Sequence, residues 1–286
     1  MKLTIVTIAL NNLIGLKKTV NSVLSQSYKD FEYIIIDGGS TDGTVDYLLS
    51  LTFNGIKKSE PDEGIYNAMN KGINLSHGEY ILFLNSCDTF VDSVVLSKVV
   101  PQLSGADIIY GDAIFWSGKK KREMHYPDKF TLYDFWKIYT PCHQATFIKT
   151  ILLKENGGYD ERYKIVADYR KWIELKMEGR SYRHLDVVVC NYMHDGISTV
   201  NLALHLKEHN AVVNELYSSD LCLAMRQMKM QEDYIEFLRA QFKHSITVVL
   251  GLIIMKLKDM IHHRGGYRQL PTGYVYDPKH PFRRPF

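Results

Sequence analysis

Apolar and polar positions alternate in blocks through the first 90 residues. Residues 3–9 form a largely apolar run that breaks at Leu10-Asn11-Asn12, which predicts a buried strand followed by a polar turn. Leu13, Leu16, Val20, Val23 and Leu24 then recur at helical spacing. Phe31–Ile36 reads as a second buried strand, stopped by Asp37-Gly38-Gly39-Ser40. Thr41 or Asp42 is placed to cap a helix running through Val45, Leu48 and Leu49. A strand is expected over 54–59, a helix over 65–75, and a strand over Tyr80–Leu84 that ends at Asn85-Ser86-Cys87-Asp88.

Short strands and helices in alternation predict an α/β fold with a mostly parallel sheet flanked by helices. In such sheets ligands bind at the carboxyl ends of the strands. The polar clusters Thr7–Asn12, Asp37–Ser40, Glu60–Gly64 and Asn85–Asp88 all fall at such ends. That coincidence is the physical ground for a ligand site in the first 90 residues.

Beyond residue 105 the pattern is mixed. Strands are expected at Asp107–Tyr110, Ala113–Trp116, Ala145–Ile148 and Tyr182–Tyr192, with a basic hairpin turn at Gly118–Arg122. A helix is expected over Val166–Met177, and from His205 the pattern is helical almost to His263. Three segments follow: residues 1–90, residues 91–202, and a helical, basic extension over 203–286.

Composition changes this picture little. A chain of 286 residues, 45% hydrophobic and 23% charged, buries one large core or two modest ones with an appendage. Charge changes it more. From Lys243 onward eight Lys/Arg face two Asp, although the whole chain is only +3. A basic tail on a mildly acidic body points the tail at an anionic surface. Ile246, Val249, Leu250, Ile253, Leu257 and Ile261 share one helical stripe ending in Lys256, Lys258, His262, His263 and Arg264. That pattern fits a helix lying in a membrane surface, and equally one packed on the body or on a second copy in a homo-oligomer. The longest apolar stretch, Ile246–Met255, is half of the ~20 residues that span a bilayer. Cys87, Cys142, Cys190 and Cys222 are widely spaced, which argues against a disulfide framework or a zinc site. The N-terminus has no signal-peptide pattern. A cytoplasmic location is expected, with the tail as a peripheral contact on the inner face of the cytoplasmic membrane. No nucleic-acid partner is expected. A phosphate-binding glycine loop or a G-x-G-x-x-G pattern is missing after the first strand, which speaks against nucleotidyltransferases and dinucleotide oxidoreductases.

Six motifs in order resemble the family 2 glycosyltransferases, especially bacterial enzymes of surface polysaccharide synthesis. They are Thr4–Ala9, Tyr33–Thr44, Ser59–Gly72, Phe83–Asp88, His143–Phe147 and Ala167–Tyr169. The resemblance implies a GT-A fold, a UDP- or GDP-linked sugar donor, Mn²⁺ or Mg²⁺, and inversion at the anomeric carbon. It implies a glycan or lipid-linked glycan as acceptor, with the donor bound by residues 1–90 and the acceptor by 91–202. A catalytically silent, glycosyltransferase-like assembly subunit is the alternative.

The chemistry asks for these residue types. A departing nucleoside diphosphate accumulates charge that a divalent cation stabilises, and a carboxylate must hold the cation. Asp88 matches the last acid of the family's metal motif, although Asn85, Ser86 and Cys87 stand where relatives often carry another acid. His194 matches a second metal-binding position, and is otherwise a loop histidine. Asp37 matches the acid that recognises the base, and Asp37–Ser40 is also a good turn. Thr7, Ala9, Asn11, Gly39, Asp62 and Ser86 fall on the donor side. Met69 replaces a family arginine, so Lys71 is expected to substitute at the phosphates. An inverting attack needs one base for the acceptor hydroxyl. Asp168 matches it, at a helix start whose dipole favours a carboxylate; a plain cap is the rival. His143, Gln144 and Tyr169 are expected near the acceptor, with a buried structural role as the alternative for His143.

Overall fold

A computed structural model describes residues 1–193 and 201–262. It separates into two units, Met1–Met225 and Arg226–Phe286. Among the described residues the first unit is built on one nine-stranded sheet.

The chain opens with β1 (Leu3–Ala9), α1 (Leu13–Leu24), β2 (Glu32–Asp37), α2 (Thr44–Ser50), β3 (Ile56–Ser59), α3 (Ile65–Leu75) and β4 (Tyr80–Phe83). Strands β3, β2, β1 and β4 lie side by side and all parallel. Parallel strands covered on both faces are largely apolar rather than alternating, as β1, β2 and β4 are, whereas the edge strand β3 is Ile56-Lys57-Lys58-Ser59 and partly exposed. Every residue of β1 and of β4 is accordingly buried. Full burial of each Ile or Leu here contributes about 1.5–3 kcal/mol before conformational entropy is counted. α3 packs on β1 so closely that a Cβ on Gly72 would lie 2.5 Å from Val6 Cγ1.

The second half is less regular. It holds β5 (Thr89–Phe90), α4 (Val95–Val99), β6 (Ile108–Ser117), β7 (Lys120–Met124), α5 (Leu132–Trp136), β8 (Thr146–Lys149), α6 (Thr150–Glu155), α7 (Ala167–Met177) and β9 (Tyr182–Met193). The sheet continues from β4 through β8, β6 and β9 to β5, with β7 hairpinned onto β6. Strands β5, β7 and β8 run against the rest, which keeps the sheet mixed but mostly parallel. The buried Asp112 of β6 is held by His125 Nδ1 (2.7 Å), His184 Nε2 (2.8 Å) and the Tyr126 N–H (3.0 Å). These bonds tie β9 and the irregular segment after the hairpin to β6.

Two helices follow, α8 (Leu202–Leu216) and α9 (Ser219–His262). The single helix expected from His205 is thus broken, because Tyr217 is extended and donates from its N–H to Val213 O. The buried Glu208 of α8 accepts from the N–H groups of Lys164 and Ile165 (2.9 Å each), which fixes the approach to α7. The expected cap of α2 moves by one residue: Gly43, at φ 90°, is the N-cap, and Asp42 accepts from Thr44 N–H and Oγ1 instead. In the second unit Phe237, Phe242, Val249, Leu250, Leu252 and Met255 of α9 are exposed. Leu257, Ile261 and the basic residues from Lys256 onward fall outside the side chains described.

Candidate active site

A cleft of about 900 Å³ opens at the carboxyl ends of β1 and β4. It is within the size range of small-molecule sites. Ala9, Asn12, Asp62, Ser86, Asp88, His143, Gln144 and Asp168 all line it. The topology explains this convergence. Strand β8 neighbours β4, so the turn after β4 and the turn before β8 are brought together.

The turn 85–88 is held from below. Thr19 of α1 has its hydroxyl 2.7 Å from Asp88 O and 3.1 Å from Asn85 O, and Asp88 N–H donates to Asn85 O at 3.0 Å. Cys87 sits at φ 85°, a left-handed conformation that non-glycine residues seldom adopt outside tight turns and sites. The result aims a nearly buried Asp88 carboxylate at the cleft. Its Oδ2 accepts from Gln144 Nε2 at 2.9 Å and its Oδ1 from Met193 N–H at 3.2 Å.

Asp168 stands in the first turn of α7 without acting as its N-cap. Tyr66 of α3 donates to Asp168 Oδ1 at 2.7 Å, and the same hydroxyl lies 2.7 Å from Ile165 O. Burial, followed by the Asp168 charge, pushes the Tyr66 phenol far above its ordinary range, so it remains a donor. Behind it lie Tyr159, whose ring is 5.5 Å from that of Tyr66, and His143, whose Nε2 is 3.0 Å from Tyr159 Oη. Burial lowers the His143 pKa and keeps the ring neutral, against the opposing pull of the Asp168 charge.

Other candidates are placed elsewhere. The Asp37 carboxylate is fully buried and turned onto its own loop, accepting from the N–H groups of Gly39 and Ser40 and the hydroxyls of Ser40 and Ser59. Its geometry is that of the turn. Thr7 is buried, with its hydroxyl 2.8 Å from Leu84 O and 3.0 Å from the Tyr33 hydroxyl. Asn11 braces the same loop, donating from its N–H to Ser40 Oγ and accepting at Oδ1 from Thr41 N–H. Gly39, at φ 85°, shapes that loop outside the cleft lining. Lys71 binds Pro61 O and Glu60 instead of entering the cleft. Lys164 is the Lys or Arg that lines the cleft among the described residues. It lies in an irregular segment where no pattern marks it. Tyr169 is turned away from the cleft onto α8, its ring 4.8 Å from that of His209. Successive helix positions are about 100° apart, so Asp168 and Tyr169 cannot face the same way. His194 lies outside the described residues. Asp62 lines the cleft beside Gly38, where a Cβ would come within 2.3 Å of Asp62 Oδ2.

The described residues contain no group of three or more His, Cys, Asp and Glu side chains fit to hold a metal. They do present oxygen donors of the kind a hard divalent cation prefers. Asp88 is one, and the buried Asn85 Oδ1 has no hydrogen-bond partner among the described residues. Such a pair fits a cation that takes its other ligands from a diphosphate and water.

A mixed, mostly parallel α/β sheet with a cleft at its strand ends is the architecture of an α/β enzyme with a GT-A-like fold. The chain belongs to glycosyl transferase family 2, which matches residues 4–161. It is a glycosyltransferase that draws on a nucleotide sugar. A PGL/p-HBAD biosynthesis glycosyltransferase of Mycobacterium bovis is 30% identical over 191 residues, covering 64% of this chain and 73% of that protein. An uncharacterized glycosyltransferase of Mycobacterium tuberculosis is 37% identical over 174 residues, covering 58% and 65%. Among solved structures, S. aureus TarS in complex with UDP aligns with a TM-score of 0.57 at 18% identity, over 77% of this chain and 67% of that one. The mannosyltransferase PcManGT of Pyrobaculum calidifontis, in complex with GDP-Man and Mn²⁺, aligns at 0.56 and 16% identity, over 73% and 63%. At these identities the structural likeness speaks for the fold.

Proposed function

We propose that the chain is an inverting, metal-assisted glycosyltransferase that moves a sugar from a UDP- or GDP-linked donor to a hydroxyl of a glycan or lipid-linked glycan in surface polysaccharide synthesis. One observation carries the reading: Asp88 and Asp168, far apart in sequence, open into one cleft at the carboxyl ends of the strands. Residues 1–90 supply the donor side, and 91–202 the acceptor side.

Ala9, Asn12, Asp62 and Ser86 line the nucleotide side of the cleft. Asp88, with Asn85 in the same turn, would hold Mn²⁺ or Mg²⁺, which would supply positive charge to offset that of the departing diphosphate. Lys164 adds a cation on the same path. Asp168 takes the proton of the attacking hydroxyl through Oδ2, which has no hydrogen-bond partner among the described residues, while Tyr66 fixes Oδ1. One base and one displacement invert the anomeric centre. His143 and Gln144 line the cleft on the acceptor side, His143 also packing behind the base through Tyr159. The UDP, UDP-GlcNAc and GDP-Man bound by the structural neighbours support a nucleotide-sugar donor.

The test is stereochemical. Product formed from an α-linked UDP- or GDP-sugar with Mn²⁺ should carry a β linkage by NMR. An α-linked product would contradict the single-base displacement.

For the extension, we place α9 at the inner face of the membrane, because its apolar side chains are exposed and the following sequence is basic. No helix among the described residues is long and apolar enough to cross a membrane.

A further inference from the structure

The cleft has two chemically different sides. Opposite the polar strand ends lies a wall of Phe115, Met124, Tyr126, Ile138, Tyr139 and Tyr192. Phe115 and Tyr192 meet edge to face with ring centroids 4.9 Å apart, and Tyr126 lies 6.2 Å from Tyr139. These residues come from β6, β7, the segment after β7, β9 and the loop after α5. The sheet order sets β4 and β8, and with them Asp88 and Gln144, between this wall and β1.

Ile138 is the unusual member. It sits just past α5 at φ 61°, where the chain closes the helix. Its N–H donates to Phe135 O at 2.8 Å, and the Tyr139 N–H donates to Asp134 O at 2.9 Å. Glycine or asparagine ordinarily takes this left-handed position, because a Cβ is strained there and a branched one more so. Burial does not offset that strain, since Ile138 is 41% exposed. A strained, exposed, branched apolar side chain in a cleft gains its contacts only when the cleft is filled.

We propose that Ile138 selects an acceptor bearing an aryl or alkyl group next to its accepting hydroxyl, seated against this wall. The donor is an unsuitable occupant, because its nucleotide and diphosphate need the hydrogen-bonding groups of the opposite side. An isoleucine offers a sugar hydroxyl no partner, so the place beside Ile138 favours an apolar aglycone over a bare saccharide. The inference rests on the glycosyltransferase site proposed above.

The experiment compares kcat/KM for two acceptors with the same sugar, an octyl or p-nitrophenyl glycoside and the free sugar, using a donor that the enzyme consumes. The wild type should prefer the apolar glycoside. In Ile138→Gly that ratio should fall by roughly 10-fold, in line with loss of an apolar pocket contact, and mostly through KM. The ratio cancels any general loss of activity. Relief of strain should leave the melting temperature of Ile138→Gly unchanged or raised. Ile138→Asn, which also tolerates the left-handed turn, should lose the preference too. A preference that survives both variants, or a wild type without one, overturns the proposal. So does a lower melting temperature with the preference intact, which would make Ile138 structural. Consumption of no UDP- or GDP-sugar, even by hydrolysis, would instead bring down the underlying site reading.

Discussion

The two halves of the sheet solve different problems. The half built from β1–β4 is all parallel, largely apolar along β1, β2 and β4, and closed by short polar turns at one end. The half built from β5–β9 mixes directions, carries a hairpin, and places its cleft residues on a short helix, a loop and a strand end. Nucleotides share a base, a ribose and a diphosphate, so one regular arrangement of strand ends serves them all. Acceptors share only a hydroxyl. On the proposed reading, irregular structure lets the second half shape a wall for one of them, at the cost of strain such as that of Ile138.

The comparison breaks most visibly at Asp168. Asp168→Asn keeps the shape and removes the proton acceptor, so transfer should fall by about 100-fold or more while nucleotide affinity stays nearly constant. Loss of nucleotide binding with turnover preserved would move Asp168 to the donor half. Tyr66→Phe, in residues 1–90, removes the hydroxyl that orients Asp168 and also meets Ile165 O, and turnover should fall by roughly 10-fold.

A smaller effect concerns pH. Burial holds His143 below the ordinary histidine value of 6.5, and His209 is lowered likewise. Above that value both rings are neutral in folded and unfolded chains, and they contribute no pH dependence. As pH falls below it, the unfolded chain takes up protons first, so stability drops between 6.5 and the lower folded values. Urea unfolding of the wild type and His143→Gln across pH 5–8 checks this: the variant should show the shallower acid limb. Equal limbs would mean that His143 is not buried as described.

The smallest effect lies outside both halves. Truncation after Met225 removes the second unit. It should abolish flotation with anionic vesicles, to which each Lys/Arg near the surface contributes about 1 kcal/mol, and leave transfer to a soluble acceptor. Unchanged flotation would end the membrane assignment of α9.

The same contrast governs what the sequence made legible. β1, β2, β4 and α3 are plain in it, because fully buried parallel strands and an amphipathic helix leave strong periodic signals. The two-residue β5 and the five-residue α5 leave none, being shorter than the periods that would reveal them. Motif matching could name Asp88 and Asp168, since each occupies a turn with its own local pattern. It could not show that the Asp37 carboxylate is bonded by its own loop and by Ser59 of β3, or that Tyr169 faces α8, because those facts depend on contacts with distant segments. Tyr66 stood in a recognised motif without a role, since its partner is 102 residues away. Lys164 and Ile138 had no signal at all: a loop cation and a loop isoleucine acquire meaning only once the cleft is drawn.

The central claim is that Asp88 governs a metal-linked nucleotide site. Calorimetric titration of UDP and GDP into the wild type and Asp88→Asn, with and without Mn²⁺, tests it most directly. One of the two nucleotides should bind the wild type, and Mn²⁺ should tighten it by about 10-fold or more, an increment of roughly 1.4 kcal/mol. Asp88→Asn should lose that increment and keep its fold. An increment undiminished in Asp88→Asn, or no binding of either nucleotide to the wild type, would contradict the account.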